Sequence, residues 1–322
     1  MPTLTASLND QFVEEGYVVV PGILEDADVE PLYSEWNQIL DGIADELIGS
    51  GELKHAYREL PFRERLVAVF EESGRNVMQP FDISLPQKEI TSTTPFHVSA
   101  TIFRILTHPR LLDVAQRLIG PEIVSNPIQH VRMKLPRRAL SVEGTKSYQA
   151  AQVPWHQDQS VVLPEADESQ ILSCWLAITD ATEENGCLQV IPGSHRGDLL
   201  DHCPGEPQLG IPDKLVPSHL GRPIPMEKGS ALFFPQKLIH GSLDNTTEGE
   251  VRISLDLRYH RNGVDSGRPM FPSFLARSAE TPERVLADPD VWAQMWYDAR
   301  ARLAEDGTPK FNRWDPDSPV CA

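Results

Sequence analysis

The stretch VRISLDLRY, Val251 to Tyr259, constrains the fold more than any other in the chain. Val251, Ile253, Leu255, Leu257 and Tyr259 alternate with Arg252, Ser254, Asp256 and Arg258. Successive side chains of an extended strand leave on opposite faces, so this period of two writes one apolar and one polar face. The apolar face needs a layer packed against it. The polar face must look at water or into a cavity. HVRMKL alternates in the same way, setting Val131, Met133 and Leu135 against His130, Arg132 and Lys134, and LSCWLAIT groups Ser173, Trp175, Ala177 and Thr179. From about Glu122 such short segments recur between Pro and Gly, the pattern of an all-β barrel or sandwich.

The flanks carry helical spacing instead. TASLNDQFVEEG reads as a short helix capped by Ser7 or Asn9 and ended by Gly16, and YVVV after it reads as a strand. Helical periods return in Val29 to Leu47, in Arg63 to Glu72 and in ATIFRILTHPRLLDVAQRLIG, where Gly120 and Pro121 terminate the run. PERVLADPDVWAQMWYDARARLAEDG is helical again. These periods predict one domain over residues 1–322: a mainly helical part at 1–121, a β-rich core at 122–262 and a helical extension at 263–322. Two long segments rich in Pro, Gly and charge interrupt the core, Pro136 to Gln152 and Gly197 to Pro223. The first runs straight into Trp155 and His156 and is expected to be a mobile lid.

A formal net charge of -18, with no cluster of Lys and Arg, disfavours a nucleic-acid partner. The apolar runs fall short of the roughly 18 to 20 residues a membrane-spanning helix requires, and MPTLTASLNDQF lacks a basic start followed by an apolar core. The expected setting is cytoplasmic, without membrane attachment. Cys174, Cys187, Cys203 and Cys321 form no CxxC pair and no dense framework, which predicts reduced thiols.

The chemistry concentrates in VPWHQDQSVVLPE, where His156 and Asp158 stand two residues apart. In extended backbone both reach one point, and that point can be a metal ion. Two His and one carboxylate with open positions are diagnostic of non-haem Fe(II) oxygenases, so a second His is required. His240 in FFPQKLIHGSLDN, at a strand end before a Gly-Ser turn, is one candidate; His195 in IPGSHRGDL is its rival. Arg252 follows His240 by 12 residues (252 minus 240) and shares a strand face with Ser254. A guanidinium and a hydroxyl on one cavity-facing strand form a receptor for a carboxylate, whereas on an outer face Arg252 would pair with a surface neighbour.

In this order the segments resemble the phytanoyl-CoA dioxygenase family of iron and 2-oxoglutarate oxygenases. The likeness runs through DQFVEEGYVVVPGIL, RILTHPRLLDVAQRLIGPEI, WHQD, CWLAITDATEENGCLQVIPGSHRG, LIHGSLDN and VRISLDLRY. It implies a mainly β fold with flanking helices around a double-stranded β-helix, the cupin-like jelly roll. Carried over to this chain, it implies that His156, Asp158 and His240 ligate Fe(II) and that Arg252 and Ser254 hold the distal carboxylate of 2-oxoglutarate. Trp175 and Lys134 stand where an aromatic and a basic residue near the co-substrate are expected. His195 becomes a structural residue near the pocket mouth. The implied reaction is oxidation of a C–H bond of a small molecule with O2, most simply hydroxylation, releasing succinate and CO2. Asp158 argues against the related halogenases, which replace that carboxylate. The competing readings are a non-catalytic jelly-roll scaffold and a cupin-like metalloenzyme that needs no 2-oxoacid. The identity of the substrate and the oligomeric state are not legible in the residues.

Overall fold

The structure is a computed structural model describing residues 6–86, 89–140, 149–205, 208–307, 313 and 318–321. Its elements follow the change of period along the chain. α1 (Ala6–Glu15) is followed by β1 (Val18–Val20), α2 (Asp26–Gly49), α3 (Phe62–Ser73), α4 (Ala100–Leu106) and α5 (Pro109–Ile119). The run expected to be helical from Ala100 to Gly120 is two helices, because a proline inside a helix lacks the N–H for the ladder and clashes with the preceding turn. Pro109 sits instead at the first position of α5, where no intrahelical donor is needed.

The strands are β2 (Ile123–Ser125), β3 (His130–Lys134), β4 (Leu172–Ala177), β5 (Leu188–Val190), β6 (Arg222–Ile224), β7 (Ala231–Pro235), β8 (His240–Ser242), β9 (Arg252–Arg261) and β10 (Phe274–Arg277), and α6 (Pro289–Asp306) follows. The larger sheet runs β1-β7-β4-β9-β2-β10, with β3 also pairing β9; the smaller runs β6-β5-β8. All these pairings are antiparallel. The arrangement is the jelly roll expected from the sequence. β1 and β10 join the larger sheet from outside residues 122–262, so helical flanks and β core are tied by backbone hydrogen bonds.

The two faces of the larger sheet have different partners. Val251, Ile253, Leu255, Leu257 and Tyr259 belong to one hydrophobic cluster with Trp36 and Leu40 of α2, Phe70 of α3 and Trp292 and Trp296 of α6. Trp175 and Ala177 of β4 turn the other way and pack with Leu188, Val190, Leu232 and Phe234 between the sheets. The apolar face of VRISLDLRY therefore meets helices. Its polar face, Arg252, Ser254, Asp256 and Arg258, looks into the barrel.

Three segments bear on the barrel mouth. The ends of the expected lid are anchored: Arg137 N donates to Asn245 O at 2.9 Å, Met133 N to Gln149 O at 3.0 Å and Leu135 N to Ala150 O at 3.1 Å. Its middle, 141–148, lies outside the described residues. The segment from Gly197 to Pro223 is held by a disulfide between Cys203 and Cys321, whose Cα atoms lie 5.4 Å apart across a sequence separation of 118. This corrects the expectation of four reduced thiols; only Cys174 and Cys187, both buried, are free. Spacing cannot announce a bond formed when the tail folds back onto a distant loop. Near that tail, Arg313 N donates to Ser160 O at 2.8 Å and its guanidinium reaches Leu163 O and Asp167, bracing the turn after Asp158. No helix among the described residues is long and apolar enough to cross a membrane.

Candidate active site

His156 and His240 are cross-strand neighbours. His156 N donates to His240 O at 2.8 Å and His240 N donates back to His156 O at 3.0 Å. Residues that exchange both bonds stand directly opposite, with side chains on one face. The imidazole centroids lie 4.1 Å apart. Gly241 permits this approach, since a Cβ there would meet Val153 O at 3.1 Å and Pro154 O at 3.2 Å. His156 Nδ1 faces Pro154 O at 2.9 Å and His240 Nδ1 faces Leu238 O at 3.0 Å. A carbonyl only accepts, so each Nδ1 carries the proton and each Nε2 presents a lone pair. Burial pushes both rings well toward the neutral form, reinforced at His156 by the facing His240. Neutral imidazole is the ligating form.

Asp158 opens a short 3-10 turn, Asp158–Val161, directly after this pair. Ligand atoms of His156, Asp158 and His240 all lie within 4.8 Å of one another, and all three side chains are buried. Burial alone would raise the Asp158 carboxyl. The Arg258 guanidinium reverses that, holding it far below the usual carboxylate range. Arg258 grips Asp158 with Nε and Nη2, and Ser173 Oγ donates to Oδ2 at 2.5 Å. Two neutral imidazoles and one carboxylate fit a divalent first-row metal.

At the other end of β9, Arg252 is 1% exposed and pairs with no carboxylate among the described residues. Its Nη1 donates to Ser254 Oγ at 2.9 Å and its Nη2 to Gly186 O at 3.1 Å. Thr182 and Asn185 build the turn that aims this carbonyl: Thr182 N donates to Asn185 Oδ1 at 2.8 Å, and Gly186 takes φ 88°, where a side chain would be strained. The guanidinium carbon lies 5.0 Å from the Trp175 ring centroid. Among the described residues, Arg252 Nε and Trp175 Nε1 are buried donors without acceptors. Buried donors beside a cation that no carboxylate contacts fit an incoming carboxylate. Burial pushes the Arg252 pKa down to about 10, so the group is still a cation at neutral pH.

A narrow pocket joins the two ends, lined by His156, Asp158, His240, Trp175, Arg252 and Arg258 among others. Ser254 stands behind Arg252 and orients it. Lys134 also stands behind the wall: its Nζ donates to Ser242 Oγ and, at 2.6 Å, to Leu243 O, tying β3 to β8. Burial, then the neighbouring Arg252, pushes the pKa of Lys134 far down. His195 is away from the metal cluster, packed over Gly16 with Nε2 toward Val13 O at 3.2 Å. Residues that the sequence reading left without a role are Arg258, Ser173 and the buried Arg132–Asp256 pair. Arg132, Asp256 and Arg258 lie on polar faces visible in the alternation, which was the available signal; Ser173 shares its face with Trp175 and Ala177 and had none.

Residues 12–254 match the family model described as phytanoyl-CoA dioxygenase (PhyH). Human peroxisomal phytanoyl-CoA dioxygenase is 25% identical over 261 residues, covering 76% of this chain and 65% of that protein. L-proline trans-4-hydroxylase of Streptomyces griseoviridis is 25% identical over 205 residues, covering 56% of this chain and 70% of the hydroxylase. The chain spans just under two thirds of the length of the first curated relatives it matches. Among solved structures, the apo form of the non-heme monooxygenase ThoJ aligns with a TM-score of 0.59 at 19% identity, covering 94% of this chain and 98% of that one. That likeness is one of fold.

Proposed function

The chain belongs to the phytanoyl-CoA dioxygenase family, and from that premise we propose that it is an Fe(II)- and 2-oxoglutarate-dependent oxygenase. It oxidises an unactivated C–H bond of a small metabolite or natural-product intermediate, with hydroxylation as the outcome and succinate and CO2 released. One observation carries the reading: three ligand atoms converge within 4.8 Å on the wall of the pocket that is also lined by Arg252, a buried cation in contact with no carboxylate among the described residues. Bound iron supplies the O2 chemistry, and 2-oxoglutarate supplies two electrons as it is decarboxylated to succinate.

The residues of the chain divide the remaining work. His156, Asp158 and His240 hold the metal; Arg252, steadied by Ser254, holds the distal carboxylate of the co-substrate. Trp175 covers the guanidinium face and offers Nε1 to the same anion. Lys134 fixes β8, and with it His240, from behind. The burial of His156, Asp158 and His240 limits the access of water to the reacting centre. The shared core of the helices and β9 supports reading the described chain as one oxygenase domain. A small-molecule substrate is favoured by the narrow pocket beside the three ligand atoms and by a relative named for acting on a free amino acid. A large anionic thioester is disfavoured, since a net charge of -18 repels it.

Succinate measured with and without 2-oxoglutarate tests the reading. His240→Ala should abolish iron-dependent succinate formation, whereas His195→Ala should leave the metal bound. Metal-dependent turnover that ignores 2-oxoglutarate would point to a cupin-like enzyme. A wild-type protein that binds neither metal nor co-substrate would leave only a scaffold.

A further inference from the structure

We infer that Arg258 and Ser173 are positioning residues that present Asp158 to the metal through Oδ1 alone, an inference that rests on the metal-dependent reading above. A carboxylate oxygen has two lone-pair positions. Oδ2 accepts from Ser173 Oγ at 2.5 Å and from Arg258 Nε at 3.1 Å, which occupies both. Oδ1 accepts from Arg258 Nη2 and keeps one position, and this is the oxygen that stands 3.8 Å from His156 Nε2.

The donors are set by the sheet rather than by a loop. Ser173 of β4 and Arg258 of β9 are direct cross-strand partners, so both point at Asp158 from one register position. Arg258 Nη1 is anchored to Ile128 O at 3.2 Å, which fixes the fork from behind. Arg258, Ser173 and Asp158 are 6%, 3% and 3% exposed, so water does not compete for these bonds. Arg258 lies four residues past the segment that matches the family model (258 minus 254), so the assignment comes from the geometry of this chain.

The chemical consequence is economy of coordination. A carboxylate with one oxygen engaged twice elsewhere offers a single donor, so it does not fill a second position that a chelating co-substrate needs. The guanidinium also supplies a counter-charge that allows Asp158 to be buried before metal arrives.

Mn(II) titrated into the whole protein, with free Mn(II) followed by electron paramagnetic resonance, tests this without turnover. The absorption band of the anaerobic Fe(II) and 2-oxoglutarate complex gives a second readout. Arg258→Lys keeps the charge and loses the fork, and should weaken Mn(II) binding by about 10- to 100-fold while diminishing the band. Ser173→Ala releases one position on Oδ2 and should cost up to about tenfold. A merely structural role would lower the melting temperature of either variant and leave the Mn(II) affinity of the folded fraction unchanged. Unchanged affinity and an unchanged band in Arg258→Lys overturn the inference. Should that variant not fold, the same result in Ser173→Ala overturns it. If the wild type binds no Mn(II), the oxygenase reading itself falls; if it binds and the variants match it, only the role of Arg258 and Ser173 falls.

Discussion

Arg252 and Arg258 leave the same face of one strand six residues apart (258 minus 252), both buried, yet among the described residues Arg258 grips a carboxylate and Arg252 contacts none. Arg258 is engaged on all three nitrogens, two of them by Asp158. Arg252 is held by a hydroxyl and a carbonyl, and its Nε has no partner among the described residues. A buried charge that no carboxylate contacts is costly, and an anion from outside the chain would offset that cost. The difference separates a residue whose partner is part of the fold from one proposed here to take its partner from a ligand.

The sharpest way to break that comparison is to remove each charge in turn and measure urea unfolding without metal or co-substrate. Arg258→Met strands the Asp158 carboxylate and should destabilise the protein by about 3–5 kcal/mol. Arg252→Met removes a charge that no carboxylate among the described residues contacts and should change stability little, or raise it. Equal losses at both positions would erase the distinction drawn here.

Co-substrate binding sharpens the contrast from the other side. Arg252→Lys loses the planar fork and should weaken 2-oxoglutarate binding to the metal-loaded protein by about 2–4 kcal/mol in calorimetric titration. Mn(II) affinity should be unaffected. A metal defect in Arg252→Lys would mean that the two ends of the strand are not independent.

The smallest effect concerns acid. His202 supports the Asp158 end alone, its Nε2 accepting from Gln157 N at 2.9 Å and its Nδ1 donating to Leu200 O at 2.8 Å. Burial pushes its pKa from 6.5 down to about 4. The unfolded chain therefore takes up a proton between pH 6.5 and 4 that the folded chain refuses. The contribution is complete above pH 6.5 and is lost as pH falls toward 4, on the order of 2 kcal/mol. His202→Gln keeps an acceptor and should flatten this part of the profile, with the similarly buried His260 unchanged as an internal reference. Hydrogen exchange at Gln157, corrected for intrinsic rates, should rise over the same interval while the amides of Ile253 and Ser254 stay protected.

Much of the fold was legible because period is a local property. The three alternating stretches became β3, β4 and β9, and the helical spacings became α1 to α3 and α6. Of the strands of three or four residues, β2, β5, β6, β8 and β10 are too short to express a period and depend on their neighbours for definition. His156, Asp158 and Arg252 were legible as candidates from type and spacing, and the family resemblance singled out His240 over His195; the structure brings His156, Asp158 and His240 together. Arg258 was visible as a polar-face residue, but nothing local told it from Arg252 or showed which would find a carboxylate.

What the sequence alone determined is the set of faces: which side chains share one, and which face must avoid water. That follows from bond geometry within a strand or helix and needs no partner. Only the tertiary structure decided the pairings across long separations. The antiparallel contact that sets His156 beside His240, the Cys203–Cys321 bond and the register that puts Ser173 opposite Arg258 all arise when distant segments meet. The role of each charge was decided in the same step, because whether a buried guanidinium is satisfied depends on what the fold brings within hydrogen-bond reach.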